Sequence, residues 1–197
     1  MRPLILASTS TYRRALLGRL GLPFEVEDPG LDEAPFKHRI ADPRLLVSEL
    51  SLAKARAVAA RHPEAWVLGS DQVAVVEGTR LGKPGSRDRA IEQLMLLSGR
   101  THELVTGVAL LCLATGTERV ALDVTRLSAR RFDRGEAMRY VTLDEPLDCA
   151  GSFKFEKHGV ALFSRVETSD PTAIEGLPLT QVVGLLEAAG FSMFDGG

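Results

Sequence analysis

The chain has 197 residues, 45% of them hydrophobic and 25% charged, with 24 Lys plus Arg against 26 Asp plus Glu and a net charge of −2. A chain of this length buries a core that needs neither disulfides nor a structural metal, and its composition excludes disorder. The near balance of charge argues against a nucleic-acid polymer held by many phosphate contacts.

Leu4-Ile5-Leu6-Ala7 reads as a strand covered on both faces, followed by the hydroxyls of Ser8-Thr9-Ser10 and a helix from Tyr12 to Leu20 that stops at Gly21. Phe24 to Glu27 alternates as a second strand, and residues 28–41, rich in Pro, Asp and Glu, read as a loop. Asp42-Pro43 is an N-cap followed by proline and starts a helix toward His62, ended by Pro63. Trp66 to Gly69 and Val73 to Val76 read as strands flanking Ser70-Asp71-Gln72, and Glu77 to Arg80 as a turn. Arg87 to Leu97 is a helix capped by Ser86, and Thr101 to Leu113 with Glu118 to Ala129 a long antiparallel pair turning at Thr115-Gly116. Asp133 caps a helix through Val141, Val160 to Val166 is a strand, and Leu179 to Ala189 a last helix. Interleaved strands and helices predict one α/β domain over residues 1–197, with a mixed β-sheet and flanking helices.

Cys112 and Cys149 have neither CxxC nor scaffold spacing and read as reduced thiols. Val108 to Ala114, the longest clean apolar run, is far short of a membrane span, and the apolar stretch ending at Ala7 is too short for a signal peptide, so a soluble cytoplasmic protein without a membrane partner is expected. Gly78 to Lys83 misses P-loop spacing by one residue and puts Pro84 where the metal-binding hydroxyl belongs, although Lys83 reads either as solvated or as reaching a phosphate. His38, His62, His102 and His158 have no zinc spacing, and His102 reads as a core or interface residue.

The remaining chemistry sits at element ends. Ser8 to Arg14 is either an ordinary cap with surface arginines or a polyphosphate seat. Asp71 lies between two apolar runs, at the end of a predicted strand, where α/β folds place reacting groups. Asp32-Glu33 is either a solvated acidic turn or, with Asp71, a carboxylate pair for Mg or Mn completed by phosphate oxygens. Such carboxylates also orient or deprotonate an attacking water.

Leu-Ala-Ser-Thr-Ser-x-x-Arg-Arg at 6–14, Asp32-Glu33, Leu52-Ala53-Lys54-Ala55, Gly69-Ser70-Asp71-Gln72-Val73, Gly82-Lys83-Pro84, Ser98-Gly99-x-Thr101, Ala150-Gly151-Ser152-Phe153-Lys154-x-Glu156 and Gly176-Leu177-Pro178-Leu179 occur in the order seen in the Maf family, which the chain resembles over nearly its whole length. The resemblance implies a Maf/ITPase-like α/β fold of two lobes around a central cleft, commonly homodimeric. It also implies a nucleoside triphosphate pyrophosphatase that splits the α–β phosphoanhydride with a divalent metal, Mg or Mn. By that similarity Asp71 is the proton acceptor, while Ser8, Arg13, Glu33, Lys54 and Lys83 line the phosphate and metal site.

The branch that acts on dTTP and UTP carries Arg, Thr and Gln where this chain has Tyr12, Gln72 and Glu156, and those three resemble the 7-methyl-GTP branch instead. The physics agrees: N7 methylation makes guanine cationic, and the Tyr12 face offers a cation–π contact worth about 0.5–2 kcal/mol. Glu156 can accept hydrogen bonds from the guanine N1–H and N2 amino group, which a pyrimidine does not present. The rival expectations are the dTTP/UTP specificity of the sister branch and a non-catalytic nucleotide-binding regulator of cell division.

Overall fold

Leu4–Ala7 forms strand β1 with all four residues buried, as expected of a strand paired on each side and covered on both faces. The structure, a computed structural model, describes residues 2–194. After β1 come α1 (Thr11–Gly18), β2 (Glu25–Glu27), α2 (Ala34–Arg39), α3 (Pro43–Ala59), β3 (Trp66–Val76), β4 (Thr79–Leu81), α4 (Arg87–Leu97), β5 (Thr101–Cys112), β6 (Thr117–Ala129), α5 (Arg134–Asp144), β7 (Phe163–Glu167) and α6 (Leu179–Glu187). The strands are hydrogen-bonded in the order β2-β1-β3-β5-β6-β7, with β4 on β3. β2, β1 and β3 run parallel, whereas β4 on β3 and β7 on β6 are antiparallel. Only residues 113–116 join β5 to β6, too few for a parallel crossover, so that neighbouring pair is antiparallel as the sequence predicts. The α/β class with a mixed sheet is therefore observed. No helix among the described residues is long and apolar enough to cross a membrane.

The chain divides into two compact units, one containing the residues up to Asp71, Thr106–Asp123 and those from Asp170, the other Gln72–Val105 and Val124–Ser169. In the first unit, β1 and β3 separate two apolar layers. Leu4, Leu6, Trp66 and Leu68 face Leu16 and Leu17 of α1 and Val182 and Leu186 of α6. Ile5, Ala7 and Val67 face Ala55, Val58 and Ala59 of α3. Each fully buried leucine or valine here contributes about 1.5–3 kcal/mol. At Gly69 the α3 backbone lies directly against the strand, since a Cβ there would sit 2.1 Å from the Ser51 carbonyl oxygen.

In the second unit, Ser86 caps α4 and Asp133 caps α5, the latter through a full capping box with Glu136. His102 is buried between Phe153 and Phe163, both ring centroids at 5.6 Å, which bears out its reading as a core residue.

Four local expectations are corrected. The loop at 28–41 contains α2, opened by the Asp32 side chain accepting from the Ala34 N–H and by Pro35 in its first turn; none of its residues is buried, so no apolar stripe announces it. Residues 66–76 are one continuous strand, because Ser70 and Asp71 find polar partners while buried. Glu77 and Gly78, with φ of 47° and 78°, make a two-residue hairpin turn, which sends Thr79 and Arg80 into a returning strand. Residues His158–Leu162 form a 3₁₀ turn, so the last strand begins at Phe163 rather than at Val160.

Candidate active site

Side chains on a strand alternate, so Gly69 and Asp71 share the face of β3 that α3 covers, and Ser70 takes the opposite face. Lys54, buried on α3, reaches this face and donates from Nζ to Asp71 Oδ1 at 2.6 Å. The same Nζ lies 2.7 Å from Glu33 Oε1 at the start of α2, and Glu33 Oε2 meets Lys37 one helical turn on at 2.5 Å. One lysine thus holds two carboxylates together. The bare glycine makes this possible, because α3 could not approach β3 so closely over a side chain.

Asp71 is not at the end of its own strand, which corrects the sequence expectation. Strand β1, however, stops at Ala7, which pairs with Gly69. Asp71 therefore lies two residues beyond the carboxyl end of its parallel neighbour, the edge where open α/β sheets carry their chemistry. The loop leaving β1 has Ser8 buried, its Oγ accepting from the Ser10 N–H at 3.1 Å, and Ser10 caps α1. Arg13, half-buried on the first turn of α1, donates from Nε to the Gly176 carbonyl at 2.9 Å; Ser70 Oγ donates to the same carbonyl at 3.1 Å. Tyr12 is half-buried beside it.

Burial works against the charge on Glu33, but Lys54 and Lys37 outweigh it and hold its carboxyl down at about 2. Burial pulls the Arg13 guanidinium below its usual value, opposed by the charges of Asp71 and Glu33. Lys54, Lys37 and Arg13 thus act on the two carboxylates Glu33 and Asp71, an excess of one positive charge suited to an anion. The Asp71 bond to Lys54 uses Oδ1, leaving Oδ2 without a protein hydrogen bond among the described residues. That oxygen can accept a proton from water, and the cations can neutralise charge building on a leaving pyrophosphate.

The remaining predicted residues belong to the second unit. Gln72 is half-buried on β3, immediately after Asp71. Lys83 is exposed on a loop pinned by Gln93 Nε2 donating to the Gly82 carbonyl at 3.2 Å and by the Gly85 N–H on the Leu147 carbonyl at 3.0 Å. Glu156 is exposed on a loop whose neighbours are tightly held: the Lys154 N–H donates to Tyr140 Oη at 2.8 Å, and the His158 N–H donates to Asp144 Oδ2 at 3.1 Å. Burial pushes the Tyr140 phenol far above its ordinary range, so it stays protonated and available as a donor toward Asp144. Ser152 Oγ donates to Gln93 Oε1 at 2.5 Å, tying the Glu156 loop to the Lys83 loop. The structure thus brings Ser8, Arg13, Glu33, Lys54 and Asp71 together in one unit and places Gln72, Lys83 and Glu156 in the other.

No cluster of three or more His, Cys, Asp or Glu side chains able to hold a metal exists among the described residues. The chemistry of the donor set is that of a hard-cation site: Glu33 and Asp71 both pair with Lys54 Nζ and so lie close together, and Mg or Mn commonly takes one or two protein carboxylates, with phosphate oxygens and water completing the shell.

Sequence reasoning missed Lys37, Gln93 and Asp170. Lys37 carried a signal, its i,i+4 spacing from Glu33, but only once α2 is known. Asp170-Pro171 repeats the cap-then-proline signature read at Asp42-Pro43, and Asp170 indeed caps a 3₁₀ turn. Gln93 carried none.

The family model for "Maf-like protein" matches residues 3–189. The 7-methyl-GTP pyrophosphatase of Polaromonas sp. is 48% identical over 193 residues, 98% of this chain and 87% of that protein. The protein of the same name from Xanthomonas axonopodis pv. citri is 48% identical over 195 residues, 98% of this chain and all (100%) of its own. Among solved structures, the Ham1 protein of Staphylococcus aureus superposes with a TM-score of 0.55 at 13% identity, and a HAM1 protein from Coxiella burnetii with 0.53 at 17%, each over 95% of this chain and 100% of theirs. Those two likenesses concern the fold alone. A family match spanning nearly the whole chain, together with close full-length relatives, places this protein in the Maf family.

Proposed function

We propose that this Maf protein hydrolyses 7-methyl-GTP to 7-methyl-GMP and pyrophosphate, removing a modified nucleotide from the pool. The observation that carries the reading is Lys54 bridging Glu33 and Asp71 beside Arg13 at the end of β1. Full-length relatives at 46–48% identity named for this activity support it. In the reaction, water forms a bond to the α-phosphorus as the bond to the bridging oxygen of the β-phosphate breaks, and Asp71 Oδ2 takes the water proton. Lys54 fixes Asp71 through Oδ1. Arg13, with Ser8, holds phosphate oxygens, so that charge developing on pyrophosphate meets a preorganised cation, and the family resemblance assigns Lys83 to the phosphates as well. A Mg or Mn ion held by Glu33 and Asp71, when bound, supplies further positive charge to those oxygens. The family resemblance assigns base selection to Tyr12, Gln72 and Glu156. The protein works as a homodimer in the cytoplasm, as its family resemblance implies.

The test is pyrophosphate release with Mg or Mn from 7-methyl-GTP, GTP, dTTP and UTP, with Asp71→Asn as the blank. Preference for 7-methyl-GTP is expected, with Asp71→Asn lowering turnover about 10²–10⁴-fold, the range for a lost general base. Preference for dTTP or UTP would transfer the protein to the sister specificity. Tight triphosphate binding without release would favour the regulatory reading.

A further inference from the structure

Asp170 is almost fully buried, 1% exposed, and lies outside the charged cluster described above. Its two carboxylate oxygens take hydrogen bonds from two threonines. Oδ1 accepts from the Thr172 N–H at 2.9 Å and from Thr172 Oγ1 at 2.6 Å. Oδ2 accepts from the Thr180 N–H and from Thr180 Oγ1, both at 2.7 Å. One carboxylate thereby caps the 3₁₀ turn Pro171–Glu175 and also grips the first turn of α6. Thr172 Oγ1 extends the grip: it accepts from the Leu179 N–H at 2.8 Å and lies 2.9 Å from the Leu177 carbonyl.

The segment enclosed by these contacts is Gly176-Leu177-Pro178. Gly176 has φ of 103°, a left-handed conformation that an L side chain would strain, and this aims its carbonyl at Arg13 Nε and Ser70 Oγ. A single carbonyl therefore fixes the arginine that faces the carboxylates and the residue next to Asp71 on β3. The Nε bond also leaves the terminal nitrogens of Arg13 without protein hydrogen bonds among the described residues, open to an anion.

We propose that Asp170 is a positioning residue: by clamping Thr172 and Thr180 it holds the Gly176 carbonyl, and through it sets the Arg13 guanidinium for the triphosphate. The inference rests on the phosphate-binding role given to Arg13 under Proposed function.

The test is a double-mutant cycle on the full chain, measuring kcat and KM for 7-methyl-GTP together with Tm. Asp170→Asn presents an amide nitrogen to two of these donors while nearly conserving shape. It is expected to lower kcat/KM about tenfold in the wild-type background. In an Arg13→Ala background, where there is no guanidinium to position, the same change is expected to cost less than twofold. Equal losses in both backgrounds would overturn the proposal, since a general loosening of the fold takes no notice of Arg13. Should Asp170→Asn not fold, Thr180→Val carries the same cycle by removing one hydroxyl donor, with a smaller loss and the same dependence on Arg13. If the wild-type protein cleaves no nucleotide, the pyrophosphatase reading fails by itself. The cycle is then read in the affinity for inorganic tripolyphosphate, where Asp170→Asn weakens binding only when Arg13 is present. A wild-type protein that binds no tripolyphosphate overturns the positioning role as well.

Discussion

The two units hold their candidate residues in opposite ways. In the first, Glu33, Lys54 and Asp71 hold one another: the charges are buried or half-buried, mutually paired, and pressed against β3 at the bare Gly69. In the second, Lys83 and Glu156 are exposed, and only the backbones on either side of them are fixed, by Gln93, Tyr140 and Asp144 over a core of aromatic rings. For Glu33, Lys54 and Asp71 against Glu156 the difference matches a division of labour; Lys83, an exposed cation assigned to phosphate, stands outside it. Charges that act on phosphates and on water must be preorganised in a poor solvent to stabilise developing charge, and pairing is the means of keeping them ionised there. A side chain that reads a base needs only a defined loop, and leaving it in solvent avoids the cost of burying its charge.

The largest expected effect breaks the first arrangement. Lys54→Met removes the bridge, leaves two carboxylates without their shared cation, and is expected to lower turnover about 10²-fold or more, the scale for loss of one preorganised electrostatic partner. It also acts on acid stability. The folded Glu33 carboxyl sits at about 2 against an ordinary 4.5, so its contribution is complete above pH 4.5 and is lost as the pH falls toward 2. Lys54→Met is expected to flatten that limb in a Tm series across this range; an unchanged limb would assign the lowered value to Lys37 alone.

The second unit has an acid limb of its own, in a different window. Burial among phenylalanines pushes His102 down to about 4 from 6.5, and neither ring nitrogen has a hydrogen-bond partner among the described residues. Its neutral form is what the fold accommodates. Stability from this group is therefore complete above pH 6.5, falls as the pH drops because the unfolded chain takes the proton first, and is fully lost below about 4, a change on the order of 3 kcal/mol. His102→Leu is expected to remove the pH 6.5–4 dependence in urea unfolding while leaving the Glu33 limb untouched. Persistence of the slope would mean that another group titrates there.

The smallest effect sharpens the comparison on the side of specificity. Glu156→Gln is expected to lower kcat/KM for 7-methyl-GTP about tenfold while altering dTTP and UTP cleavage less than twofold, in line with loss of a charge-assisted hydrogen bond at an exposed site. An equal loss on all four nucleotides would falsify base reading by Glu156.

Most of the architecture was legible because the chain obeys local rules. Leu4 to Ala7 is apolar where a doubly covered strand demands it, and Asp42-Pro43, Ser86 and Asp133 stand where helix starts need caps. Reading failed where polarity and element type parted company. Ser70-Asp71-Gln72 looks like a break between strands, yet β3 runs through it, because the partners of Ser70 and Asp71 lie 106 and 17 residues away in sequence. Helix α2 was missed for the converse reason: none of its residues is fully buried and Phe36 alone packs against the core, so no periodicity marks it. The candidate site was visible as a set of residues through family resemblance, but its internal order was not. Nothing local to Lys54 says that its ammonium meets both Glu33 and Asp71, and nothing local to Gly176 says that its carbonyl receives Arg13 and Ser70.

By itself, the sequence determined the α/β class, most strands and helices, their caps, and the family, since these depend on side-chain type and spacing along a few neighbouring positions. The tertiary structure alone decided which charges meet. Ion pairs and shared carbonyls need groups within about 3 Å, and that distance is reached here only because β1 ends at Ala7, Gly69 admits α3, and the 170–180 segment folds back onto α1 and β3.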